Sequence, residues 1–155
     1  MKINFICLGL VVLLATGCSG EKKAVENPMK VSIETSEGLF KKSMLLLAQN
    51  KVPEAIKTLV QASELSPKDT NIYFALAQVY MNIRAYDKSL AVCQEILKID
   101  GKSPDTFLLM AACYDLKGEP EKAAELVKMS MVLFQEQENI EGFQKASSIL
   151  TQLSS

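Results

Sequence analysis

The chain has 155 residues, 48% hydrophobic and 23% charged, a balance that can bury a core and excludes wholesale disorder. Its 17 basic and 18 acidic side chains nearly cancel without any run of Lys and Arg, so nucleic acid is not expected as a partner. The absence of His removes the commonest general base and the commonest zinc ligand, and neither a metal nor a cofactor is expected.

Residues 1–17 form the first predicted element, an address segment. Lys2 gives a positive start, residues 3–15 are almost wholly apolar, and Ala15, Thr16 and Gly17 are small. This is the build of a secretory signal peptide, and its apolar run falls short of the roughly 20 residues that span a bilayer. Leu14-Ala15-Thr16-Gly17-Cys18 resembles the lipobox of bacterial lipoproteins. The resemblance implies cleavage before Cys18, acylation of its thiol, and a mature chain held to a membrane by lipid in the cell envelope. Ser19 after the Cys points, on the same resemblance, to the outer membrane on its periplasmic side.

Residues 18–35 are expected to be the acylated Cys and a flexible tether, which lacks aromatics, mixes charges and contains Pro28. Flexible chain of that length reaches roughly 20–25 Å.

Residues 36–137 repeat with a period of 34, as units 36–69, 70–103 and 104–137. Leu39, Tyr73 and Phe107 form one column, and Leu46, Tyr80 and Tyr114 another. Small residues form two more: Ser43, Ala77 and Ala111, and Ala55, Ser89 and Ala123. Leu65, Ile99 and Leu133 close the units. The pattern predicts first helices over 37–49, 70–83 and 104–116, and second helices over 53–65, 87–99 and 120–134. Asn50, Arg84 and Gly118 fall at the turn between them, where Asn and Gly suit a left-handed helix end and Arg does not. Pro53 and Pro120 suit first turns, and Ser66-Pro67 and Ser103-Pro104 read as N-caps or breaks between units. In residues 138–155, Ile140, Phe143, Ala146, Ile149, Leu150 and Leu153 share one helical face, which predicts a C-terminal capping helix.

These columns resemble the tetratricopeptide repeat over roughly residues 36–135. The resemblance implies an all-α fold, a solenoid of three helical hairpins plus the capping helix. It also implies that the first helices line a concave surface. Repeat spacing then picks out Phe40, Phe74 and Leu108, then Met44, Gln78 and Ala112, then Leu47, Met81 and Asp115, with Asn82 as a further polar point. Two readings stand side by side: a groove for a partner, or packing among the helices themselves. The carboxylate clamp of some family members is not expected, because Phe40, Met44, Ala75, Asp105 and Leu109 stand at its places.

The implied function is an adaptor or assembly factor for an unidentified envelope protein or peptide. The alternative is a carrier or chaperone that shields an apolar ligand or an unfolded segment. No catalytic motif is present, neither GxSxG nor a Gly-rich phosphate loop, so no enzyme is expected. Cys93 and Cys113 stand on neighbouring predicted helices, and both a disulfide and two free thiols remain open.

Overall fold

Thr35 starts the first helix: its hydroxyl accepts the Gly38 amide at 3.1 Å, satisfying one of the unpaired donors of the opening turn. The computed structural model describes residues 34–154, so the address segment, Cys18 and nearly all of the tether lie outside the described residues. Seven α-helices and no strand occur among the described residues. They are α1 Ser36–Ala48, α2 Val52–Leu65, α3 Thr70–Asn82, α4 Tyr86–Ile99, α5 Pro104–Leu116, α6 Pro120–Glu136 and α7 Ile140–Leu153. The sequence placed the ends of the first five within about one residue. α6 runs two residues beyond its expected end at 134.

Two kinds of joint connect the helices. Within each hairpin, one residue enters the left-handed region: Asn50 at φ 59°, Arg84 at 62° and Gly118 at 78°. The next amide then bonds five residues back, from Lys51 to Leu46 at 2.8 Å, Ala85 to Tyr80 at 2.8 Å and Glu119 to Tyr114 at 2.9 Å. That is the Schellman pattern, which satisfies carbonyls that the helix end leaves over. Arg84 therefore adopts the turn its neighbours in register adopt, at a conformational cost of about 1 kcal/mol relative to glycine.

The joints between hairpins contain no left-handed residue. Asp69 caps α3 by accepting the Asn71 amide at 3.0 Å. Ser66 is not that N-cap but the C-cap of α2, and its hydroxyl pairs with Ser36 at 2.7 Å. Ser103 does stand at the N-cap of α5, where its hydroxyl pairs with Thr106 rather than with a backbone amide.

The core is three linked clusters, each built from three successive helices. Leu39 of α1, Leu59 and Ala62 of α2, and Ile72, Leu76 and Val79 of α3 form the first. Ala77 of α3, Leu90 and Cys93 of α4, and Leu109, Met110 and Cys113 of α5 form the second. Leu108 and Ala111 of α5, Val127 and Phe134 of α6, and Ala146 of α7 lie in the third. Every hairpin thus has its apolar side completed by the helix that follows it. The predicted small residues are buried between the helices: Ser43, Ala55, Ala77, Ser89 and Ala123 are all 0% exposed.

Candidate functional site

The open places between the first helices decide where a ligand could sit. A cleft of about 360 Å³ lies between α3, the start of α5 and α7, lined by Thr70, Asn71, Phe74, Gln78, Asp105 and Lys145, among others. Buried Ile96 and Thr106 contribute to its lining. Phe74 is half-buried and offers a ring, while Asn71, Gln78, Asp105 and Lys145 are exposed and offer an amide pair, an anion and a cation. Side-chain amides can both donate to and accept from a peptide backbone, so this lining suits an extended polar chain with one apolar residue.

A second cleft of about 340 Å³ holds Met81 and Asn82 with Arg84, Tyr86 and Leu116. The ten residues chosen from repeat spacing are therefore not gathered in one groove. Phe74 and Gln78 share the first cleft, and Met81 and Asn82 share the second. Phe40 and Leu47 are half-buried against the first core cluster, and Met44 is 40% exposed. Ala112 is half-buried and Asp115 exposed, in neither cleft. Leu108 is a correction: at 9% exposure it packs in the third core cluster with α6 and α7, and it is not on an open face.

Asn71, Asp105 and Lys145 were missed. Asn71 and Asp105 are one period apart at the second position of their helices, a signal available in the columns. Lys145 lies beyond the periodic region, and only the packing of α7 brings it to this cleft.

Cys93 and Cys113 are free thiols, both buried. Ser89 joins three helices here: its hydroxyl donates to the Ala77 carbonyl at 2.8 Å and accepts from the Cys113 thiol at 3.3 Å. Burial pushes the Cys93 thiol up from 9.0 to about 12, nearby Cys113 pushes in the same direction, and the Ser89 hydroxyl opposes them. Burial raises Cys113 as well, against the Ser89 bond. Protonated, buried thiols make poor nucleophiles, so this pair is packing rather than chemistry.

A pH dependence follows. Below pH 9 the native and unfolded chains both keep the Cys93 proton, and its contribution to stability is complete. Above that the unfolded chain loses the proton first, so stability falls until the native thiol also ionises near 12. Thermal melts from pH 7 to 11 should show a shallower alkaline decline for Cys93→Ala than for the native chain. Parallel curves would contradict the assignment.

Among the described residues no cluster of His, Cys, Asp and Glu is arranged to hold a metal ion, and no helix is long and apolar enough to cross a membrane.

Two family models match the chain, a TPR repeat over residues 45–83 and a tetratricopeptide repeat over residues 70–103. Anaphase-promoting complex subunit 3 of Dictyostelium discoideum is 27% identical over 84 residues, which cover 54% of this chain and 9% of that protein. The chain thus spans about a tenth of the length of that curated relative. Among solved structures, the type III secretion translocator chaperone SycD of Yersinia enterocolitica superimposes with a TM-score of 0.70 at 22% identity, covering 81% of this chain and 96% of SycD. SycD in complex with a peptide of the translocator YopD gives 0.66 at 21% identity, with the same two coverages, 81% and 96%. The TPR2B-domain:pHsp70 complex of yeast Sti1 gives 0.69 at 15% identity and covers 77% of this chain and 95% of that chain. The third hairpin lies outside both family matches, yet Gly118 repeats the left-handed turn of Asn50 and Arg84. The described residues, 34–154, form an all-α solenoid of the tetratricopeptide type, with repeat models matched in its first two hairpins.

Proposed function

We propose that this protein is a non-catalytic binding module of the cell envelope that holds an extended segment of another envelope protein in the cleft between α3, α5 and α7. The observation that carries the reading is the lining of that cleft, where Phe74 supplies an apolar anchor among Asn71, Gln78, Asp105 and Lys145. An apolar carrier site would lack so many polar groups. The peptide complex of SycD, a protein of similar fold, supports the choice of ligand class. A lipid on Cys18 would fix the module to the membrane, in the outer membrane on its periplasmic side, and the tether would let it work as an adaptor or assembly factor close to that surface.

The test uses the full chain in its native cells, with a photocrosslinking residue at position 78 or at exposed position 61 on α2. A specific adduct is expected from 78 and not from 61. Asn71→Ala and Lys145→Glu, both at exposed positions, should reduce the adduct without changing the circular dichroism of the protein. The same adducts from both positions, or none from 78, would refute the assignment.

A further inference from the structure

The outer side of α6 departs from the repeat. Position 95 of α4 and position 98, one turn on, carry Glu95 and Lys98, which pair at 2.6 Å in solvent. One period earlier the same places hold Gln61 and Glu64, both exposed. One period later they hold Met129 and Val132, which are 50% and 56% exposed. The equivalent solvent-facing pairs are thus polar or charged in the first two hairpins and apolar in the third.

Met129 and Val132 are not isolated. With half-buried Leu133 and the edge of Phe107 they line a shallow cleft of about 360 Å³. Its rim carries Lys102 and Glu136, which meet each other at 3.1 Å, and the Gln137 side-chain amide fastens this corner by donating to the Lys102 carbonyl at 3.0 Å. An apolar floor with a polar rim is the anatomy of an interface.

We infer that the outer face of α6, with Met129 and Val132 at its centre, is the contact between two copies of this chain related by a twofold axis. The charge pattern selects the occupant. One cation and one anion stand on the same rim, so a twofold-related copy sets Lys102 of each chain toward Glu136 of the other. A strongly acidic or basic partner would match only half of that rim. The surface uses α6 and the joint before α5, so it does not include Asn71, Gln78 or Lys145 of the other cleft. Failure of one assignment therefore leaves the other standing.

The experiment is sedimentation of the full chain in neutral-detergent micelles over a range of protein concentration. The native chain should associate reversibly into dimers. Val132→Asp, at an exposed position, should weaken association at least about tenfold. Lys102→Glu makes the rim wholly acidic and Glu136→Lys makes it wholly basic. Each variant alone should stay monomeric, while an equimolar mixture should associate. A native chain that is monomeric throughout would overturn the inference. So would a mixture no better than its components, or unchanged association of Val132→Asp.

Discussion

Replacing Leu59 with alanine should lower the stability of the protein by about 2–5 kcal/mol, the range for removing a large aliphatic side chain from a packed core. Leu59 is 0% exposed in α2 and lies where α1, α2 and α3 meet. The loss is a large share of the roughly 5–15 kcal/mol that holds an ordinary domain together. Its distribution along the chain is as telling as its size. Each cluster is shared only by successive helices, so the damage should concentrate in α1 and α2. Amide hydrogen exchange should show those two helices losing protection first, with α5 and α6 holding longer. Uniform loss across all seven helices would mean that the array opens as one unit.

The second large effect is expected at Gly142, where two principles point in opposite directions. A glycine inside a helix costs about 1 kcal/mol relative to alanine, so propensity alone predicts that Gly142→Ala stabilises α7. Packing predicts the reverse. A Cβ at this position would stand 2.9 Å from Cγ of Phe134, with two further ring carbons closer still. Phe134 is 2% exposed and confined by the third cluster, so the ring has little room to retreat. Overpacking of this kind costs about 1–3 kcal/mol, so the net result should be a loss, larger for Gly142→Val. Urea unfolding of Gly142→Ala, alone and combined with Phe134→Leu, measures the balance. The smaller side chain at 134 should recover much of the loss, because the two positions touch. A Gly142→Ala protein more stable than the native one would show that propensity wins.

The hairpins were legible because punctuation and period agreed. Pro53, Pro120, Asn50 and Gly118 mark starts and ends chemically, and the columns of small residues mark where helices cross. Arg84 broke the chemical rule for its turn yet adopts φ 62°, because register with the neighbouring hairpins outweighs a local cost of about 1 kcal/mol. The end of α6 was misjudged because a left-handed turn at Glu138 closes it, where the period sets a joint without one. Leu108 was misplaced because its column faces outward only if nothing folds over it, and the third cluster that takes it in extends to α7. Gly142 carries no warning in the sequence, since its partner Phe134 lies two turns away on another helix. The joining of Ser89, Ala77 and Cys113 was half visible, as two small columns and a cysteine, but their hydrogen bonds needed three-dimensional placement.

The last joint breaks the alternation of the two kinds of link. Glu138 turns left-handed at φ 54°, and the Asn139 amide bonds five residues back to the Phe134 carbonyl at 2.8 Å. That is the hinge used inside hairpins, set where the alternation called for the straighter link used between them. Two hinges in succession, at Gly118 and Glu138, fold α7 down along α6 like a leaf of a screen. The joint at 136–139 thus closes α7 against α6 as Asn50, Arg84 and Gly118 close the other hairpins, and not as 66–69 passes from one hairpin to the next.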